Sequence, residues 1–237
     1  MSYSNKHLTE VICSFEFLED SAKWDSVFFG SFYEKIRQAG FTERQERKAM
    51  NFQMLLGNSN ISPIPQITPE DQFVFKNPGK NWGITMSKGV ISFHILRDYA
   101  GWMIFMNELI CPFYKLYLEL GLGSGRRNCT VMYLNRFEKT VSENLSDYFT
   151  IVSNIDKQFG PEKNTIIQRV FQGSHDFFLH TKLLTQDIAN SRYQINLECG
   201  ARSLNSNISW LDQAENTHAP ILKFFESIIT NKQRQEL

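Results

Sequence analysis

Metal-ligand and nucleophile signatures are missing from this chain. Its five histidines, His7, His94, His175, His180 and His218, show no H-x-x-x-H or H-E-x-x-H spacing, and its four cysteines, Cys13, Cys111, Cys129 and Cys199, form no C-x-x-C pair. Zinc asks for a compact set of nitrogen and sulfur donors, so no metal site and no cofactor are expected. Ser–His–Asp and Cys–His machinery leaves no local pattern here, and no catalytic residue is assigned. An excess of one charge is missing too: 25 Lys plus Arg balance 25 Asp plus Glu. Nonspecific nucleic-acid binding draws on a cationic surplus that releases phosphate counterions, so nucleic acid is not an expected direct ligand. The first ten residues, MSYSNKHLTE, lack the apolar core of a secretion signal. The most apolar helical stretch, residues 99–120, carries Asn107, Glu108, Lys115 and Glu119, too many polar groups for a membrane span. A cytoplasmic protein is expected, with Cys13 and Cys199 as reduced core thiols on strand-like runs.

What the chain does have is phenylalanine, 20 of them, and a repeated order of elements. Aromatic rings bury large apolar areas and should line the core. Val11, Cys13, Phe15 and Phe17 alternate with Glu10, Ile12, Ser14 and Glu16, the period of a strand. Asp25 or a neighbour opens a helix through Phe28, Phe29, Phe32, Tyr33 and Ile36 that closes near Gly40. Residues 42–49 are charged and suggest a short surface helix or a loop. Residues 58–69 hold Pro63, Pro65 and Pro69 and suggest a surface loop. Strands follow at 72–76, 82–86 and 90–96, turned by Pro78-Gly79 and Lys88-Gly89. The helix over 99–120 presents Trp102, Phe105, Met106, Leu109, Ile110, Phe113, Leu116 and Leu120, with a kink expected at Pro112.

The second half repeats the order. A strand covers 128–137, a shorter helix 142–153, Gly160-Pro161 ends the connection, and strands cover 165–171, 177–184 and 193–201. A closing helix begins at Ser209 with Asp212 three residues on, a variant capping box, and Pro220 bends it. Residues 232–237 should fray. The fold class expected is α+β: two similar β-α-β-β-β-α units, 1–122 and 123–237, with antiparallel sheets backed by long helices, either separate or packed as one body.

Certain segments resemble a sporadically distributed family of uncharacterised prokaryotic proteins of about this length. They are Leu8-Thr9-Glu10-Val11 and Phe15-Glu16-Phe17, Tyr99-Ala100-Gly101-Trp102, Tyr133-Leu134-Asn135-Arg136, Leu211-Asp212, His218 and residues 224–230. The similarity spans most of the chain in order; Pro220 departs from it. The resemblance implies a prokaryotic, horizontally moved gene of the sort found in antiviral-defence, toxin–antitoxin or mobile-element systems, and it supplies no active site.

The segment GLGSGRR, residues 121–127, superficially matches a phosphate loop, but its glycines follow a helix and precede a strand, where the helix dipole has the wrong sign. A helix stop and joint is the reading, with Arg126 and Arg127 left for a surface anion. His175 and His180 are five apart, so on one strand they face opposite ways. His218 with Asp212 and Glu215 belongs to a capped helix rather than to acid–base chemistry.

Tyr133, Asn135 and Arg136 form the candidate ligand-binding set, with Glu10 and Glu16. Tyr133 and Asn135 share a strand face with Val131 and Phe137, and Arg136 shares the other with Met132, Leu134 and Glu138. If the halves pair through their first strands, the Glu10/Glu16 face meets the Arg136 face. A hydrogen-bonded brace is the preferred account of these residues, and an anion-binding junction the sharper one. Arg169, His180, Lys182, Gln194, Asn196, Glu198 and Arg202 are expected to share one polar sheet face.

The function expected is noncatalytic: a binding or regulatory component acting with a co-encoded protein partner and no membrane. The alternative is a nucleotide-like small-molecule sensor with its pocket between the halves. A metal-dependent nuclease or phosphoesterase ranks last, because it needs clustered carboxylates.

Overall fold

A computed structural model describes residues 7–17, 26–52, 67–123, 125–140, 142–152, 166–174, 176–188 and 192–236. The architecture is α+β, a large antiparallel sheet with several helices. In chain order the elements are β1 (Leu8–Phe17), α1 (Ser26–Gln38), β2 (Glu43–Phe52), β3 (Ile67–Asn77), β4 (Trp82–Ser87) and β5 (Val90–Ile95). A composite helix follows: α2 (Trp102–Ile104), a π-helical segment (Phe105–Ile110) and α3 (Cys111–Glu119). Then come β6 (Arg126–Thr140), a 3-10 turn (Leu145–Asp147), β7 (Ile166–Ser174), β8 (Phe177–Ile188) and β9 (Arg192–Ser203). Three helices close the chain: α4 (Trp210–His218), α5 (Ile221–Ile228) and α6 (Asn231–Glu236).

The nine strands form one sheet in the order β2-β3-β4-β5-β1-β6-β9-β8-β7. β1 and β6 pair antiparallel at its centre, with Val11 opposite Tyr133 and Cys13 opposite Val131. Strand alternation then sorts the side chains. Val11, Cys13, Phe15, Cys129, Val131, Ile195, Leu197 and Cys199 are fully buried on the face that carries the helices. Glu10, Ile12, Ser14 and Glu16 take the other face and stay partly exposed.

The core is dense in rings. Phe15 meets Tyr114 of α3 at 4.4 Å, Phe93 of β5 at 6.5 Å and Trp210 of α4 at 6.1 Å between centroids. One side chain thus ties a central strand to helices of both halves. α1 lays Phe29 on Phe73 and Phe32 on Phe75. It ends at Gly40, and α3 ends at Gly121, with φ of 93° and 74°. Both ends have the same pattern: Gly40 and Gly121 amides donate to Arg37 and Leu118, and the next amides, Phe41 and Leu122, donate to Ile36 and Tyr117. This is the Schellman closure that needs a left-handed residue. The glycine-rich segment after α3 is therefore a helix stop leading into β6, as its sequence suggested.

Several elements differ from expectation for physical reasons. Residues 43–49 belong to β2, an edge strand of the sheet among the described residues, and are neither helix nor loop. Charge on an edge strand guards its unpaired side and hides the period-two signal; Arg44 also lies over the Tyr33 and Phe73 rings at 5.9 and 5.5 Å. Pro69 sits in β3 opposite Met50 and not in a loop. The kink at Pro112 takes the form of a π turn: Cys111 donates to Met106, five residues back, and Pro112 falls in the first turn of α3 where no donor is missed.

No helix covers 142–152. Tyr148, Phe149, Ile151 and Val152 are all buried, and the Thr150 amide donates to Ile228 while Thr230 donates to Tyr148. Backbone pairing with residues after α5 replaces a helix. The chain end is ordered rather than frayed over 231–236: Gln233 is buried and Lys139 pairs with Glu236. The first half therefore carries one strand more than expected, and the second lacks a helix after its first strand among the described residues. Asp25, residues 58–66, Gly160, Pro161, Thr165 and His175 lie outside the described residues. No helix among the described residues is long and apolar enough to cross a membrane.

Replacing Phe15 by Ala should cost about 3–5 kcal/mol, the usual range for emptying a ring-sized core site. Chemical denaturation should show the lower midpoint with the transition still single.

Candidate functional site

A cavity of about 790 Å³ opens where the two halves meet, on the sheet face that carries no helix among the described residues. Strand pairing lays out its floor. Glu10, Leu134, Glu198 and Lys182 form one row across β1, β6, β9 and β8. Arg136, Asn196 and Leu184 form the next. A bulge in β1 pairs Leu8 with Asn135 and Glu10 with Leu134, and it brings Asn135 to the rim. The wall is the turn after β5, with Leu96, Arg97 and Asp98, held to the turn before β4. Asn81 and Asp98 both adopt left-handed φ, 54° and 56°. Asn81 Nδ2 donates to Asp98 Oδ2 at 3.0 Å, and the Leu96 amide donates to the Asn81 carbonyl at 2.9 Å. Asn and Asp tolerate this backbone better than other residues with a Cβ, so sequence and conformation agree.

The charges are unevenly satisfied. Glu10 accepts from His94 Nδ1 at 2.7 Å, Glu198 lies 3.4 Å from His180 Nε2, and Asp98 is held by Asn81. Arg97, Arg136 and Lys182 have no carboxylate within ion-pair distance among the described residues. Arg136 Nε has only a long contact, 3.4 Å, to Asn196 Oδ1. Three cations without an ion-pair partner among the described residues thus border one space.

The residues expected to bind are divided by the sheet. Glu10 and Arg136 line the cavity together, and Asn135 joins them at the rim. Glu16 lies six residues along β1, roughly 20 Å away, where it accepts from Asn128 at 2.7 Å and from Arg202 at 3.0 Å. Tyr133 faces the helices, and its hydroxyl bonds that of Tyr99 at 2.9 Å. Burial pushes the Tyr133 pKa well up and that of Tyr99 up to about 12, so both stay neutral phenols. The expected polar face of the second half forms from His180, Lys182, Gln194, Asn196, Glu198 and Arg202. Arg169 departs from it: it pairs with Thr181 on the helix side and donates to the Ile151 carbonyl at 3.0 Å. Arg126 is likewise taken up by the Ser206 and Ile208 carbonyls before α4.

Arg97, Asn81 and Asp98 were not legible as site residues. Two of them share only a left-handed turn conformation, and a turn signal alone does not name a cavity wall. Behind the sheet, His218 stacks on Trp102 at 4.1 Å and 5°. Ser209 caps α4 by accepting from the Asp212 amide at 3.0 Å. Cys13 and Cys129 are buried thiols with sulfurs 4.0 Å apart. Among the described residues, no three His, Cys, Asp or Glu side chains are placed to share a metal ion. Compared with protein-family models, curated proteins and solved structures, the chain matches none.

Burial lowers the His218 pKa to about 4 from 6.5. Between those values the unfolded chain holds a proton that the folded chain does not, so stability present above pH 6.5 is lost as pH falls to 4. His218→Phe keeps the ring stack and removes the titration. Its loss of stability over that window should be smaller by on the order of 1–2 kcal/mol, after discounting for partial exposure; denaturation at both pH values measures it. Gly200 gives a second check. A Cβ there would lie 2.4 Å from His180 Cε1 and 2.8 Å from Met132 Cγ. Gly200→Ala should cost about 1–3 kcal/mol, and adding His180→Ala should recover most of it in a double-mutant cycle.

Proposed function

We infer that this protein is a noncatalytic binding component, made of two similar units, 1–122 and 123–237, whose shared sheet surface receives a small anionic molecule. The duplication is supported by the mirrored strand order: β1 and β6 lie side by side, and each is flanked by the last strand of its own half, β5 and β9. One observation carries the ligand assignment. Arg97, Arg136 and Lys182 border the junction cavity with no carboxylate within ion-pair distance among the described residues, and its carboxylates already have partners. An anion entering there gains charge-assisted hydrogen bonds and breaks no ion pair of those cations.

A protein partner is the second part of the reading. β7 is the last strand of the sheet among the described residues, and it exposes Ile166 and Val170, at 67% and 51%. An unpaired edge with apolar side chains is a template for strand addition by another chain. The cavity then senses a ligand and the edge reports to a partner. The setting in a defence or toxin–antitoxin system rests on the sequence resemblance alone.

The reading is tested on purified protein. Denaturation should release a small anionic compound that mass spectrometry identifies, and adding it back should raise the Tm through selective binding to the folded state. Arg136→Ala and Lys182→Ala should each raise its Kd by roughly 10-fold or more. A wild-type protein that releases nothing, and whose Tm no anionic metabolite moves, overturns the proposal.

A further inference from the structure

The cavity pairs its cations with a second kind of group. Glu10 uses Oε1 on His94, and Glu198 uses Oε1 toward His180. Among the described residues, the other oxygen of each carboxylate has no hydrogen-bond partner. Both side chains remain partly exposed, at 25% and 32%, so those oxygens are open to a visitor. The two glutamates flank Leu134 in one row of the floor. With strands roughly 5 Å apart, their backbones are about 10 Å from each other. Arg136 lies one row further along β6, roughly 7 Å from Leu134.

These groups ask for opposite chemistry within the span of one small molecule. Arginine and lysine only donate, and they favour an anion. An ionised carboxylate only accepts, repels a second anion, and is satisfied by a hydroxyl donor. A bare polyanion would serve the cations and meet like charge at Glu10 and Glu198. A neutral polyol would serve the carboxylates and leave the cations unmet. Both sets are met by an anionic group attached to a hydroxyl-bearing ring, whose carbon face can lie on Leu134 and Leu184.

We propose that the junction cavity recognises a sugar phosphate, free or as the ribose phosphate of a nucleotide. Arg136, Lys182 and Arg97 hold the phosphate, and Glu198 and Glu10 accept from the sugar hydroxyls. His94 and His180 are positioning residues that fix one oxygen of each carboxylate. Gly200 leaves the space that the His180 ring occupies. The proposal rests on the anion-binding reading of this cavity and narrows it to one class.

Calorimetric titration of the full chain with ribose 5-phosphate, adenosine 5′-monophosphate, methyl phosphate and inorganic phosphate tests it. At least one of the two sugar phosphates should bind roughly 10-fold or more tighter than methyl phosphate, the worth of hydrogen bonds to a charged group. Tighter binding of the monophosphate assigns a nucleotide, and equal or tighter binding of ribose 5-phosphate assigns the free sugar phosphate. Glu198→Gln and Glu10→Gln should weaken the better sugar phosphate and leave methyl phosphate unchanged or tighter. Arg136→Ala should weaken all four alike. If methyl phosphate binds as tightly as the sugar phosphates, or the glutamine variants bind them unchanged, the sugar assignment fails and the anion site stands. It also fails, with the anion site intact, if none of the four binds while the compound released from purified protein binds in an Arg136-dependent way. If none binds and no released compound depends on Arg136, both readings fall. Should a glutamine variant not fold, the wild-type comparison decides.

Discussion

The pairing of β1 with β6 is the contact on which the rest of the structure depends. Among the described residues it is the only sheet contact between the strands of residues 8–95 and those of 126–203, and it makes one sheet of nine strands. Its register puts Val11, Cys13 and Phe15 beside Cys129, Val131 and Tyr133 on the helix side. A slip of one residue would send that whole set to the polar face and bring Glu10, Ser14 and Glu16 against the rings of α3 and α4. Burying unpaired carboxylates there is prohibitively costly, so the register is strongly specified. The same register also makes the cavity, because it sets Glu10 beside Leu134 and one row from Arg136.

Each face of the sheet solves a different problem. On the helix side, rings carry the load, and Phe15 alone bridges β5, α3 and α4. The seam between the composite helix and α4 is closed by Trp102 stacked on His218. A neutral imidazole suits that position, since a protonated one would sit half-buried against apolar groups. On the open side, pairs such as His94 with Glu10 and Arg202 with Glu16 give each carboxylate a partner with no covering layer among the described residues. Antiparallel sheets tolerate one solvated face in this way.

The sequence carried some of this and hid the rest. Alternation in β1 and β6 was legible because one face of each is largely apolar, and it correctly separated Tyr133 from Arg136, whereas Asn135 reaches the cavity rim beside Arg136. Gly40 and Gly121 were legible as helix stops because only a left-handed residue closes a helix that way. β2 was not, because an edge strand is selected for charge as well as for pattern. The helix expected after β6 failed for a different reason. Leu145, Tyr148, Phe149 and Val152 stand at helical spacing, but their segment exchanges backbone bonds with residues 228–230, a long-range pairing that periodicity does not show. The cavity wall was beyond reach, since Asn81 and Asp98 lie 17 residues apart and meet only through the β4–β5 hairpin.

A formal net charge of zero weakened the case for nonspecific nucleic-acid binding when the chain was taken as a whole. Locally the sum is again zero, three cations and three carboxylates around the cavity, but the fold decides which of them pair. Glu10, Glu198 and Asp98 are matched to His94, His180 and Asn81, groups that hold a carboxylate in place without needing to carry a full positive charge. Without those partners, Glu10, Glu198 and Asp98 would be left to pair with Arg97, Arg136 and Lys182 across the same cavity. Binding an anion would then have cost a desolvated ion pair. Imidazole and amide partners leave Arg97, Arg136 and Lys182 without an ion-pair partner among the described residues, which is what the proposed anion site requires. The site depends on the identity of the carboxylates' partners at least as much as on the number of its cations.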